Sequence, residues 1–292
     1  MPTETKTPDQ IPEQPRSHPM PKPGSPAGDP VTRLRPVSIV VLTAGGPLAP
    51  VVVNGLAARL AGPGRTLTVI EEEPEAKSEI IRRRARKLGW WTALGQAACG
   101  ILQRLLASGR QARIAAILGT YGLDASPPAA LAVHRVASVN SDACRALLRS
   151  LAPSVVAVYG TRIIKPATLD AVPAPFVNYH AGINPKYRGQ HPGYWALASG
   201  DAENAGVTIH LVDAGVDTGS VLYQARVVFS PEDTIATYQH VQAAHALPLF
   251  ARAIEDALAS RLAPRTVALP SRQWFPPTIW DYLRNGVVRG VW

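Results

Sequence analysis

Cysteine is scarce in this sequence. Only Cys99 and Cys144 occur among 292 residues, and neither belongs to a CxxC or a Cys/His pattern. We therefore expect neither a disulfide framework nor a metal site of the zinc type, and a reducing, cytoplasmic location fits best. The apolar share of 46% is sufficient for a core that needs no disulfide staples.

Long apolar runs are also lacking. No stretch of 18 apolar residues appears, so we expect no membrane-spanning helix. The N-terminus lacks the apolar segment of a signal peptide. Ten prolines precede Val37 and few large apolar residues accompany them. This composition predicts a disordered tail over residues 1–36, because too little apolar surface is present to offset the entropy of ordering.

Acidic residues are the minority among the charged ones. The chain has 30 Lys and Arg against 21 Asp and Glu, a net charge of +9. Such a balance suits nucleic acid, a membrane surface or anionic metabolites. It also suits the Arg-rich usage of a GC-rich genome, so charge alone does not choose a partner.

Apolar runs alternate with helical periodicity along the chain. The segments 38–42, 47–62 and 65–73 predict a β-α-β unit with buried, parallel strands. Further strands are expected near 132–139, 154–160 and 175–182 and twice within 206–229, with helices over 141–153, 192–201 and 230–260, the last begun by Ser230 and Pro231. This order predicts an α/β fold, a Rossmann-like open and mostly parallel sheet with helices on both faces. Ligands of such sheets bind beyond the carboxyl ends of the strands.

Residues 75–107 depart from that rhythm. They combine the basic run RRRARK with apolar residues at helical spacing, among them Trp91 and Leu94. One interpretation is one or two helices packed on the sheet. The other is a basic amphipathic surface that meets a membrane or a partner.

The stretch NYH carries the strongest chemical signature. Asn178 and His180 are two residues apart at a strand end, so their side chains share one face. A histidine there can act as an acid or base near neutral pH, and an asparagine can donate to a developing oxyanion. The downstream loop DAGVDTG offers Asp213 and Asp217 to orient the imidazole. A Ser-His-Asp hydrolase is disfavoured, since no GxSxG elbow occurs.

The segment VNYHAGINPKYRGQHPGYWAL, followed by GVTIHLVDAGVDTG, resembles the N10-formyltetrahydrofolate-dependent formyltransferases. That family includes glycinamide ribonucleotide, methionyl-tRNA and sugar N-formyltransferases. The resemblance implies a formyltransferase catalytic domain over 37–262, with 10-formyltetrahydrofolate as cosubstrate and no metal. The catalytic residues would be Asn178, His180 and Asp217. Backbone contacts to the folate would come from Thr161, Arg162, Ile163 and Ile164 and from Asp213, Ala214, Gly215 and Val216.

The resemblance also bears on the amine acceptor. It implies substrate contacts from Gly45 and Gly46 after the first strand, and from Arg188. Pro47 removes a backbone donor from that first loop, which weakens the case for a ribonucleotide phosphate. About 30 residues follow Arg261, fewer than the further domain of tRNA formyltransferases, so nucleic acid is disfavoured. A small, anionic amine remains the expected substrate, either a sugar nucleotide or glycinamide ribonucleotide.

The aromatic C-terminal extension over 263–292 has no clear counterpart in these relatives. Its aromatic residues could cap the core, form a homodimer contact or touch lipid, as could the insertion at 75–107. Two other functions stay open at this point. One is a formyltetrahydrofolate hydrolase, and the other is a non-enzymatic, membrane-associated protein on the same fold.

Overall fold

A seven-stranded sheet lies at the centre of the computed structural model, which describes residues 36–292. The predicted tail lies outside the described residues, apart from residue 36. The strands are β1 (Val37–Thr43), β2 (Arg65–Glu72), β3 (Ala132–Val136), β4 (Val155–Tyr159), β5 (Phe176–His180), β6 (Arg188–Gly189), β7 (Gly206–Leu211), β8 (Val221–Arg226) and β9 (Gln273–Trp274).

The order of strands in the sheet is β3-β2-β1-β4-β5-β7-β8. The first five of these run parallel, and β7 and β8 pair antiparallel. The expected open, mostly parallel sheet is therefore confirmed. The two remaining strands, β6 and β9, form a small parallel pair of their own. Both short strands flank the turn that follows β5, so they bear directly on the candidate site.

Helices cover both faces of the sheet, as the sequence predicts. On one face α1 and α8 meet through Leu56, Leu247 and Phe250, while α5 covers the other face with Cys144 and Leu148. The helices are α1 (Ala49–Leu60), α2 (Lys77–Leu88), α3 (Trp90–Leu105), α4 (Gln111–Tyr121), α5 (Asp142–Leu151), α6 (Pro166–Leu169), α7 (Pro192–Ala198), α8 (Tyr238–Leu258) and α9 (Ile279–Arg289).

The predicted start of the long helix is wrong. The helix α8 begins at Tyr238, not at Ser230 and Pro231. The reason is the buried carboxylate of Asp233, which accepts from the Ser230 N–H at 2.8 Å and from Arg113 Nε at 2.9 Å. These bonds hold 230–237 as a separate turn, and Arg113 comes from α4, far away in the sequence. The helix α5, in contrast, begins close to the predicted residue, with Ser141 as its cap, since Ser141 Oγ accepts from the Cys144 N–H.

The basic insertion forms a helical hairpin of α2 and α3, with Gly89 between them. The buried side of α3 joins an aromatic cluster with residues of α7, α8 and α9, through Cys99, Tyr194, Tyr238 and Tyr282. Contact between α3 and α9 is close at Gly95, where a Cβ would lie 3.0 Å from Trp280 Nε1. The insertion and the C-terminal extension thus pack together as one helical layer.

Candidate active site

The pairing of β5 with β7 brings the first two polar side chains together. Asn178 lies directly opposite His210 in the antiparallel register, and Asn178 Nδ2 is 2.9 Å from His210 Nε2. His210 is a residue of this cluster that the sequence patterns did not single out. Alternation along GVTIHL places Thr208 and His210 on one face. The register that sets His210 against Asn178, however, cannot be read from the sequence.

The loop between β7 and β8 adds the carboxylate. Asp217 Oδ2 lies 3.4 Å from His180 Nδ1, and its Oδ1 lies 3.6 Å from His210 Nε2. The three catalytic residues predicted from the sequence are therefore neighbours in space. Asp217 itself has a left-handed backbone, with φ of 50°. For a residue other than glycine this conformation is strained and needs support from its surroundings.

Hydrogen bonds and charge define the protonation of this cluster. Burial alone would raise the pKa of the Asp217 carboxyl, but the charge of His180, the contact with His210 and the Gly189 N–H hold that pKa well below its usual range. His180 Nε2 lies 2.7 Å from the Tyr187 carbonyl, which can only accept a hydrogen bond. Its two ring nitrogens therefore both face acceptors, an arrangement that suits the imidazolium form.

His210 has the opposite arrangement. Its Nδ1 donates to the Leu211 carbonyl at 2.7 Å. Its Nε2 can then accept from the Asn178 amide, which fixes the direction in which that amide points. Because an amide nitrogen carries two protons, Asn178 keeps a second one for a ligand.

The turn after β5 supports the strained carboxylate. Gly189 N–H donates to Asp217 Oδ2 at 2.9 Å, and Arg188 donates to the Val216 carbonyl at 2.8 Å. Gly189 has φ of 95°, and a Cβ there would lie 2.2 Å from the Trp274 carbonyl oxygen. Only glycine suits this position. Arg188, expected to contact substrate, is seen here to hold the loop that carries Asp217.

The loop after β4 was expected to bind folate through its backbone. It lies beside β5, but part of it is already engaged. Arg162 N–H donates to Glu72 at 2.6 Å, and the Ile163 carbonyl accepts from Asn140 at 2.9 Å. The Ile163 side chain is 56% exposed, whereas Ile164 is buried in the core. The backbone of Thr161 and Ile164 and the Ile163 N–H are the parts of this loop left for a ligand.

The second expected folate loop, 213–217, is shaped by its own contacts. Asp213 Oδ1 accepts from the Gly215 N–H at 3.0 Å and from the Thr218 hydroxyl at 2.6 Å. A Cβ at Gly215 would lie 1.9 Å from that hydroxyl, so a side chain cannot be accommodated. Ala214 is exposed. The loop thus presents backbone to its surroundings, and of its two acids Asp213 is exposed while Asp217 is 16% exposed.

Gly45 and Gly46 are not brought to this cluster. They follow β1, which β4 separates from β5, so the two strand ends are about 10 Å apart. Gly45 N–H donates to Thr43 Oγ1 at 3.2 Å.

A cavity of about 470 Å³ opens beside His180 and Gly189. Its opposite wall consists of α2, α3 and the C-terminal extension. Gln96 on α3 is fixed by donating to the Pro276 carbonyl at 3.0 Å, while its Oε1 has no hydrogen-bond partner within residues 36–292. The polar lining residues are Arg84, Gln96, Gln103, Gln190, His191 and Gln239.

His191 is a titratable residue of the cavity lining, as is His180. Burial lowers the pKa of His191 to about 4, with a further contribution from the nearby Arg84 guanidinium. It is therefore neutral at physiological pH. Among residues 36–292 no group of three or more His, Cys, Asp or Glu side chains could hold a metal ion.

Comparison with known proteins adds a family match. Residues 109–254, half of the chain, match the sequence model of a family described as formyl transferase. The chain is 45% identical over 96 residues to the methionyl-tRNA formyltransferase of Koribacter versatilis, covering 32% of this chain and 30% of that protein. It is 37% identical over 134 residues to the enzyme of the same name from Pelotomaculum thermopropionicum, covering 45% and 42%. The matches thus span less than half the length of these relatives.

Two solved structures share the fold. A sugar N-formyltransferase from Shewanella sp FDAARGOS_354 aligns with a TM-score of 0.51 and 16% identity, over 84% of this chain and 78% of that one. Glycinamide ribonucleotide transformylase 1 from Symbiobacterium toebii aligns with a TM-score of 0.52 and 19% identity, over 85% and 97%. At such identities the likeness establishes the fold alone.

Proposed function

Because this chain belongs to the formyl transferase family, we propose that it transfers a formyl group from 10-formyltetrahydrofolate to an amine of a small molecule. The observation that carries the proposal is the pair of Asp217 and His180, 3.4 Å apart with the imidazole buried, beside a cavity of about 470 Å³. That volume lies within the range of small-molecule sites.

Four polar residues would have separate roles in the reaction, and they are Asn178, His180, His210 and Asp217. When the amine attacks the formyl carbon, the carbonyl oxygen gains negative charge. The free proton of the Asn178 amide and the positive charge of His180 both stabilise that oxygen. Asp217 keeps His180 charged, and His210 keeps the Asn178 amide aimed. The attacking amine gives up a proton as the bond to the folate nitrogen breaks and that nitrogen takes one.

The folate would lie between the loops after β4 and β7. When bound, it supplies the electrophilic formyl carbon. The free backbone groups of Thr161, Ile163 and Ile164 offer hydrogen bonds to a heterocycle, and the exposed Ile163 side chain offers apolar contact. The segment from Asp213 to Val216 offers a second backbone edge opposite them. Arg162 is assigned a structural part, because its N–H and guanidinium both bind Glu72.

The acceptor would occupy the cavity between β5 and the α2–α3 hairpin. The lining supports a polar ligand, since it carries four glutamine amides and the guanidinium of Arg84 in addition to His180. An amine that also bears a phosphate or pyrophosphate fits this set, with the anion at Arg84. A sugar nucleotide amine satisfies both features, and glycinamide ribonucleotide is the alternative of the same class. In this assignment Gly45 and Gly46 have no contact with the acceptor.

The proposal is tested by calorimetry with a non-reactive folate analogue, followed by a panel of amines with 10-formyltetrahydrofolate. We expect folate binding and transfer to phosphorylated sugar amines. The variant His180→Ala should lose transfer by at least about 100-fold. His134→Ala, which removes an exposed histidine on β3, is the matched control and should retain it. Full activity of His180→Ala would overturn the proposal.

Two other outcomes of the amine panel would indicate a different reaction or a different acceptor. Release of formate at the same rate with and without amines would indicate a hydrolase. Transfer confined to charged methionyl-tRNA would match the printed names of the sequence relatives and would contradict a small-molecule acceptor.

A further inference from the structure

One face of the helical layer is exposed and apolar. On α3, Trp91 is 71%, Leu94 54% and Leu105 74% exposed, and these residues lie on one stripe of the helix. On α9, Val287 is 79% and Val288 71% exposed. The two helices are joined at this surface by Trp91 and Trp280, whose rings stack with centroids 5.4 Å apart. We call this surface the α3–α9 face.

The helical layer of α2, α3 and α9 has an excess of positive charge. Segments 77–105 and 279–292 contain nine Lys and Arg residues and two acidic ones, Glu79 and Asp281. Arg104, Arg284 and Arg289 stand beside the exposed apolar residues of α3 and α9 and are themselves exposed. Apolar side chains and cations therefore occupy one surface.

The presence of apolar side chains and cations on one surface distinguishes between possible partners of the α3–α9 face. A second copy of the chain in a twofold dimer would set the same surface against itself, and the cations of the two copies would repel. Nucleic acid would satisfy the charge, but it gives aliphatic side chains such as Val287 and Val288 no apolar partner. A bilayer with anionic headgroups satisfies both, since tryptophan and aliphatic side chains enter the interface while arginines meet the lipid phosphates. We propose that the α3–α9 face docks on an anionic lipid surface.

Docking would place the catalytic cavity next to the lipid. The helix α3 presents Trp91, Leu94 and Leu105 outward, while Gln96 and Gln103 on its other side line the cavity. One helix diameter, about 10 Å, thus separates the proposed lipid contact from the proposed acceptor. The statement about the acceptor rests on the proposed function, but the docking itself does not.

The test is flotation of the full chain with vesicles of phosphatidylcholine, alone or mixed with phosphatidylglycerol. We expect binding to the mixed vesicles only, weakened by salt. Each cation near such a surface strengthens binding by about fivefold, so the double variant Arg104→Glu/Arg284→Glu should bind roughly 20-fold more weakly or worse. The double variant Trp91→Ser/Val287→Ser should lose quenching of tryptophan emission by brominated lipid.

The matched controls substitute exposed residues outside the face, Arg149→Glu and Val228→Ser, the latter 89% exposed. They should bind vesicles as the unaltered chain does. Circular dichroism melts of all variants show whether the fold is retained. Formyl transfer to a soluble amine should persist in the face variants, which separates this test from that of the activity. Equal vesicle binding by face and control variants, or dimerisation without vesicle binding, would overturn the proposal.

Discussion

The two walls of the cavity are built on different principles. On the catalytic wall, Asn178, His180, His210 and Asp217 are held by hydrogen bonds and charge between neighbouring strands and loops. On the opposite wall, Arg84, Gln96 and Gln103 project from the α2–α3 hairpin, and Gln96 Oε1 and Gln103 Nε2 have no partner within residues 36–292. The family match spans 109–254 and so contains the first wall but not these three residues. In the proposed function, the residues for the chemistry and those for the choice of acceptor thus lie in separate parts of the chain.

The largest effect is expected on the catalytic wall, from Asp217→Asn. The amide keeps the shape and can still accept from the Gly189 N–H, but it removes the negative charge 3.4 Å from His180. Without that carboxylate, a positive charge on the His180 ring has no counter-charge beside it, and the developing oxyanion is stabilised less. We expect kcat to fall about 1000-fold, measured as formyl transfer at saturating amine.

Asp142→Asn provides the control, since that side chain is 99% exposed at the start of α5. It should leave kcat unchanged. If Asp217→Asn were to change only the KM for folate, the role of Asp217 in holding the His180 charge would be wrong.

A second prediction concerns the backbone that supports this wall. Gly189→Ala would place a methyl group 2.2 Å from the Trp274 carbonyl and impose φ of 95° on alanine. The pair β6–β9 must then separate, and Asp217 loses its N–H donor. We expect a loss of about 3 kcal/mol in the free energy of unfolding, or roughly 10 °C in Tm, measured by thermal denaturation.

Gly64→Ala is the matched comparison. Gly64 has φ of 71°, but no atom lies within 4 Å of the added Cβ. Its cost should be the backbone strain alone, about 1 kcal/mol. An equal loss in the free energy of unfolding for the two variants would show that the contact with Trp274 contributes nothing to the cost.

The catalytic wall was largely predictable from sequence, and its exceptions are instructive. Local patterns at a strand end and a glycine loop indicate Asn178 and His180 and offer Asp213 and Asp217, and the family resemblance selects Asp217. They do not indicate His210, because its role depends on the register between β5 and β7. Arg188 was expected to face substrate, yet its guanidinium binds the Val216 carbonyl, a contact that depends on how two distant turns pack.

The acceptor wall was much less predictable. Periodicity predicts helices in 75–107, but not that Gln96 meets the carbonyl of Pro276, 180 residues later. The early start expected for α8 failed for a similar reason, since the ion pair of Arg113 and Asp233 spans 120 residues. Local sequence determines elements and strand-end chemistry, whereas long-range packing determines which side chains share a cavity.

A third prediction compares the two histidine-bearing sides of the cavity by the pH dependence of the free energy of unfolding. The pKa of His191 is about 4 in the folded chain against an ordinary value of 6.5. The unfolded chain therefore binds more protons between these values, and stability is lost as pH falls from about 6.5 to 4. The pKa of Asp217 is lowered in the folded chain, so its ionised carboxylate contributes stability that is lost only below about pH 4. His191→Gln should remove roughly 2 kcal/mol of the loss in the upper window, measured by urea denaturation at several pH values. An unchanged pH dependence in that variant would contradict a neutral His191.

The smallest effect is expected on the acceptor wall, from Arg84→Gln. Arg84 donates to Gln190 at 3.0 Å, and burial lowers its pKa, so the guanidinium is partly withdrawn from water and available to an anion in the cavity. The KM for a phosphorylated amine should rise about tenfold, which corresponds to about 1.4 kcal/mol, while kcat and folate binding stay unchanged. Arg83→Gln is the control, because Arg83 is the exposed neighbour of Arg84 and pairs with Glu75 instead. A rise in KM of equal size for an uncharged amine would place the acceptor anion elsewhere and leave Arg84 as a support for Gln190.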